Sequence, residues 1–185
     1  MMTRIIAVAV LIAGLAVGET GAVEFSYSAT SGSTCTAIRS KREFNSWRCP
    51  GPAGYSALFH DLGNMVAVEF GPTGREKAIV EDGLMWQGAE KSFDDKVEWR
   101  LMDGKPYAAI VRIWRQDFDE EANRPRTVEE LLVIKVSSPG ACRIGAVDGK
   151  GADASTIARN MADTQAATFR CGRDQPRTGA AARSR

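Results

Sequence analysis

One histidine, His60, stands in the 185 residues, so any nucleophilic constellation of serine, histidine and carboxylate must be built on it. Ser56 lies four positions before it, in Gly54-Tyr55-Ser56-Ala57-Leu58. That segment has the first glycine of a nucleophile elbow but Leu58 where the second belongs. In an extended strand Ser56 and His60 share a face about 13 Å apart, beyond hydrogen-bond reach. No catalytic residue is assigned on this basis, and a hydrolase built on His60 stays the alternative reading.

The carboxylate pairs Asp94-Asp95, Glu120-Glu121 and Glu129-Glu130 are sequence neighbours. In strands such neighbours point to opposite faces and make no acid–base pair. Asp117, Asp119, Glu120 and Glu121 would suit calcium by their oxygen ligands, but their spacing is not that of an EF-hand. With Arg124 and Arg126 following, they read as a charge-balanced hairpin tip. Asp148-Gly149-Lys150-Gly151 lacks the Gly-Lys-Ser/Thr ending of a phosphate loop and reads as a strand-to-helix turn. A lone histidine excludes a histidine-rich metal site, and the four cysteines form no Cys-x-x-Cys. No metal and no cofactor is expected.

The residues best placed to bind something lie in a hairpin over 96–115. Val97, Trp99 and Leu101 alternate with Lys96, Glu98 and Arg100, and Tyr107, Ala109, Val111 and Ile113 alternate with Ala108, Ile110, Arg112 and Trp114. A two-residue Asp103-Gly104 turn pairs Trp99 with Ala108 and puts one apolar set beside Arg112. A three-residue loop, Asp103-Gly104-Lys105, pairs Trp99 with Ala109 and gathers both apolar sets on one face. A one-residue slip flips every side chain, so the three-residue loop is expected, with Gly104 at positive φ. Glu98, Arg100, Arg112 and Trp114 then share the opposite face. An indole beside guanidinium groups suits a sugar or an anionic ligand. The alternative is a cross-strand charge ladder with Trp114 packed under a helix or loop.

These residues need a scaffold, and composition bounds it. The chain is 44% hydrophobic and 25% charged, with a net charge of +1, as for one ordinary globular domain. That charge gives no strong attraction to nucleic acid or to anionic lipid. Turn dipeptides such as Pro50-Gly51, Gly63-Asn64, Asp82-Gly83 and Pro139-Gly140 separate short apolar or alternating runs. The expected fold is α+β: a strand-rich antiparallel β-sheet with one C-terminal α-helix packed on it. In that helix Asp153 is the expected cap, and Ile157, Ala158, Met161, Ala162 and Gln165 recur at helical spacing.

Arg4 followed by the uncharged run 5–17 reads as a signal peptide over residues 1–22, too short to span a bilayer. A single disulfide-stapled domain is expected over 23–172, then a disordered basic tail over 173–185. Export places the protein in the periplasm or outside the cell, with no stable membrane insertion once the signal is cleaved. There an even number of cysteines implies disulfides. Cys35–Cys49 and Cys142–Cys171 are favoured, because each pair brackets one local unit.

Trp47-Arg48-Cys49-Pro50-Gly51-Pro52-Ala53-Gly54-Tyr55, Glu98-Trp99-Arg100-Leu101 and Gly104-Lys105-Pro106-Tyr107-Ala108-Ala109-Ile110-Val111-Arg112 carry a resemblance, as does the Cys142…Cys171 helix unit. Together they resemble a group of small exported proteins of alphaproteobacteria with no established activity. The resemblance implies export and a single domain, and it transfers no catalytic residue. The functional expectation is a non-enzymatic binding or inhibitor-type protein of the bacterial envelope. Its partner would be an envelope protein or glycan, with no nucleic acid. A structural, self-assembling protein is the third reading.

Overall fold

A computed structural model describes residues 23–41, 44–79, 84–138 and 140–179. The expected signal peptide over 1–22, the turn Asp82-Gly83, Pro139 and the last residues of the expected tail, 180–185, lie outside that set.

The strands are β1 (Val23–Ala29), β2 (Thr36–Lys41), β3 (Phe44–Pro50), β4 (Tyr55–Asp61), β5 (Met65–Pro72), β6 (Met85–Met102), β7 (Lys105–Asp119), β8 (Arg124–Val136), β9 (Ala141–Asp148) and β10 (Arg177–Gly179). The helix α1 (Ala154–Gln165) lies between the last two. From β2 to β9 each strand pairs antiparallel with the next, as short connections require. The architecture is therefore α+β, an antiparallel sheet with a helix near the C-terminus packed on it.

The sheet curls because β6 serves two neighbours along one edge. Its start pairs with β5 (Met65↔Gln87) and its end pairs with β1 (Tyr27↔Glu98). Beyond β5 the chain folds back, and Lys77 N–H donates to Phe70 O at 3.3 Å. Ile79 N–H donates to Ala141 O at 2.7 Å, and Ala141 N–H donates to Lys77 O at 2.8 Å. This segment links β5 to β9 and brings the two halves of the sheet around one core. Phe59, Val68, Phe70, Val97, Trp99, Val111, Ile113, Leu132 and Ile134 are buried inside the curl. Trp99 is fully buried, and its indole N–H reaches Ser28 Oγ at 2.7 Å, which satisfies its one polar atom.

The outer face of β7–β9 carries a second apolar layer. Ala108, Ile110, Leu131, Val133, Ile144 and Val147 pack against Ala154, Ala158, Met161 and Ala162 of α1, continued by Ala166 and Phe169. The small residues of α1 let it sit close to the sheet. Gly145 serves the same end, because a Cβ there would run into the Arg177 carbonyl oxygen and the Met161 sulfur. The disulfides Cys35–Cys49 and Cys142–Cys171 join the expected pairs. Two such bridges point to an oxidising compartment. Among the described residues no helix is long and apolar enough to cross a membrane.

Three local expectations change. Trp99 does pair with Ala109, but not through a three-residue loop. Met102 pairs with Lys105 across a two-residue turn, with Asp103 at φ 50° and Gly104 at φ 70°. Tyr107 is then skipped between the pairs Leu101↔Pro106 and Arg100↔Ala108. This bulge supplies the extra residue that brings the apolar sets together, while the turn keeps the primed geometry that suits strand twist. Asp153 makes no side-chain capping bond, because at φ −99°, ψ 3° its backbone is outside the extended region an N-cap adopts. Within the stretch read as a tail, Arg177–Gly179 forms β10, parallel to β9.

Candidate ligand-binding cleft

The alternation that sends Val97, Trp99, Val111 and Ile113 into the core sends Asp94, Lys96, Glu98 and Arg100 of β6 to the outer face, together with Ile110, Arg112 and Trp114 of β7. Rows of cross-strand partners run over this face. One is Tyr27–Glu98–Ile110–Val133, and the next is Arg112–Leu131–Val147. Helix α1 packs on the apolar part of these rows and reaches the charged part of the face through Arg159 and Asp163. Between helix and sheet lies a cleft of about 240 Å³ lined by Tyr27, Asp94, Lys96, Glu98, Ile110, Arg112, Leu131, Ser155 and Arg159.

Glu98 and Arg100 are both buried. Glu98 accepts from Arg159 Nε at 2.8 Å and Nη2 at 2.9 Å, from Arg100 Nη1 at 3.2 Å and from the Tyr27 hydroxyl at 3.3 Å. Arg100 continues the chain to α1, donating to Asp163 from Nε at 2.9 Å and Nη2 at 2.7 Å. The Tyr107 hydroxyl also donates to Asp163, at 2.6 Å. Burial raises the Asp163 pKa, but the hydrogen bonds from Arg100 and Tyr107 outweigh it and hold the carboxyl below its ordinary value. Burial, followed by the neighbouring Asp163 carboxylate, pushes the Tyr107 phenol up to about 12. This network fixes the helix over the sheet and so sets the width of the cleft.

Of the four residues assigned from sequence, Glu98 and Arg112 line the cleft. Arg100 lies under α1 and serves as its anchor. Trp114 sits one row beyond, opposite Glu129, with the Lys91 ammonium 4.9 Å from its ring centroid. Arg112 Nη1 donates to Glu129 and, at 2.8 Å, to the Gly149 carbonyl. The sequence reading missed Tyr27, Lys96, Ser155 and Arg159. Lys96 was legible, since it has the same parity as Glu98. Tyr27, Ser155 and Arg159 come from β1 and α1, and no local pattern places them over β6.

The histidine tells a different story from the one its sequence neighbours suggest. Ser56 hydrogen-bonds the carboxylate of Glu76 and, at 3.1 Å, Thr73. His60 Nδ1 lies 2.8 Å from Ser46 Oγ on the adjacent strand, and its Nε2 lies 3.6 Å from Glu69. Ser46 is buried, and the apolar cleft beside His60 is lined by Leu62, Ala67, Val68, Ala78, Leu84 and Met85 without it.

The chain matches no family model, no curated protein and no solved structure.

Proposed function

We propose that this is an exported, non-enzymatic binding protein of the bacterial envelope whose ligand occupies the cleft between α1 and β6–β7. The observation that carries this reading is the convergence of Lys96, Glu98, Arg112, Ser155 and Arg159 on one partly apolar cavity. Specific sites combine such an apolar floor with a few placed polar groups. The two disulfides support the compartment. Hydrolysis is the weaker reading, because the hydroxyl beside His60 is buried.

The test is retention. The mature, oxidised protein is immobilised and exposed to envelope extract, and retained small molecules are identified by mass spectrometry. A Lys96→Gln/Arg112→Gln variant is the control. The expected result is a compound held by the wild type and lost from the variant. Equal retention by both moves the site elsewhere and overturns the assignment of the cleft.

A further inference from the structure

We infer that the cleft takes a small organic anion, with its carboxylate or phosphate head against Lys96, Arg112 and Ser155 and its short apolar body over Ile110 and Leu131. This inference rests on the reading of the cleft as the ligand site and adds the chemistry of the ligand.

The protein leaves part of the hydrogen-bonding capacity of this lining unused. Three cations and two carboxylates line the cavity. Glu98 is saturated: both its oxygens accept from two groups of the chain itself. A ligand cation would have to displace Arg159 to reach it. Asp94 meets the Lys91 ammonium at 3.4 Å through Oδ1 and keeps Oδ2, the one carboxylate oxygen of the lining without a partner among the described residues. The donors are in the opposite condition. Among the described residues Lys96 has no carboxylate partner, and its ammonium rests 4.7 Å from the Tyr27 ring centroid. Arg112 bonds through Nη1 alone, which leaves Nε and Nη2 for another acceptor. The Ser155 hydroxyl has no partner within the described residues. Ser155 also stands in the first turn of α1, where the helix end adds positive potential to the same rim, offset in part by the N-cap carboxylate of Asp153. Unused donors in excess over unused acceptors select an anion.

Size and floor narrow the class. About 240 Å³ is below the roughly 300–1,000 Å³ of pockets for drug-sized ligands. Ile110 and Leu131 are the apolar residues of the lining, and both pack against α1. An anion of amino-acid or sugar-phosphate size fits, with an apolar stub of a few carbons.

The experiment is an amide NMR titration of the mature, oxidised protein at constant ionic strength with butyrate, propyl phosphate, inorganic phosphate and the neutral isostere butyramide. Butyrate or propyl phosphate is expected to shift Lys96, Ile110, Arg112 and Ser155 saturably, and butyramide to bind at least tenfold more weakly. Stronger binding of butyrate assigns a carboxylate head, and stronger binding of propyl phosphate assigns a phosphate. Inorganic phosphate matching propyl phosphate would overturn the role given to the apolar floor. Lys96→Gln is expected to weaken the anion about tenfold without unfolding, because Lys96 is exposed. Arg112→Gln adds a second test where it folds. Butyramide binding the same residues as tightly as butyrate overturns the anion and leaves the cleft as the site. Shifts confined to residues outside the cleft, or no shift with any probe, overturn both.

Discussion

Arg100 and Asp163 meet through two parallel hydrogen bonds, 2.9 Å from Nε and 2.7 Å from Nη2, across the boundary between sheet and helix. The same guanidinium reaches Glu98 at 3.2 Å, so one buried cation ties the floor of the cleft to its roof. Planar guanidinium suits this task, because it presents several donors in a fixed fork.

Asp163→Ala should therefore destabilise the fold by about 2–3 kcal/mol, since it strands a buried cation with one of its two carboxylates. Arg100→Lys should recover little, because an ammonium cannot make the paired contact. Chemical denaturation of both variants checks this. A loss below about 0.5 kcal/mol for Asp163→Ala would mean that the bridge is not a determinant of stability.

Acid should weaken the protein through Glu76. Burial raises its pKa, but hydrogen bonds from Arg48, Ser56 and the Gly74 amide outweigh that and bring it down to about 2 from 4.5. A folded value below the unfolded one adds stability above the unfolded value, lost as pH falls from about 4.5 toward 2. Glu76→Gln should lower stability at pH 7 and flatten the curve in that window. Denaturant midpoints measured from pH 7 to pH 2 for the two proteins decide the point.

The alkaline limb should belong to Tyr107. Its folded pKa of about 12 exceeds the unfolded 10, so its contribution is complete below pH 10 and is lost as pH rises through 12. Tyr107→Phe removes that dependence, and the hydrogen bond to Asp163 with it. Ultraviolet titration of the phenol should show the late ionisation in the wild type.

Removing the disulfides one at a time should cost about 3 kcal/mol for Cys35–Cys49 and about 4 kcal/mol for Cys142–Cys171 in the chain-entropy account, the difference following from separations of 14 and 29 residues. The second bridge also holds the segment after α1 to β9. Its Cys→Ala pair should perturb the amides of the cleft as well as the melting temperature, whereas the first should leave them in place.

Gly104→Ala should cost about 1–2 kcal/mol. The added methyl meets no atom within 4 Å, so the whole effect is the left-handed backbone at φ 70°. Thermal unfolding measures it. No change would imply that the turn relaxes to another form.

Residue order alone determined a good deal of this molecule. Alternation through Val97–Leu101 and Ala109–Ile113 sent one set of side chains to the inner core and put Trp99 opposite Ala109, because a pleated strand sends neighbours to opposite faces. Tyr107, expected in that set, lies instead against α1, and the opposite set is buried as well at Glu98, Arg100, Ala108 and Ile110. Cysteine placement around two local units gave the pairing, and helical spacing from Ala158 to Ala162 gave α1 its buried stripe. The bulge at Tyr107 was hidden, since a three-residue loop and a bulged two-residue turn yield the same register above them. The strands β1 to β3 were also hidden, as their mostly exposed or half-buried side chains carry little apolar alternation. Tertiary structure decided what the polar face is for. Docking of α1 consumed Arg100 in an anchor, left Trp114 outside and brought Arg159 and Ser155 over β6. The closing of β3 on β4 gave His60 the hydroxyl of Ser46 in place of Ser56. Such pairings join residues 14 to 71 positions apart, and no local periodicity encodes a contact made only when separate elements pack.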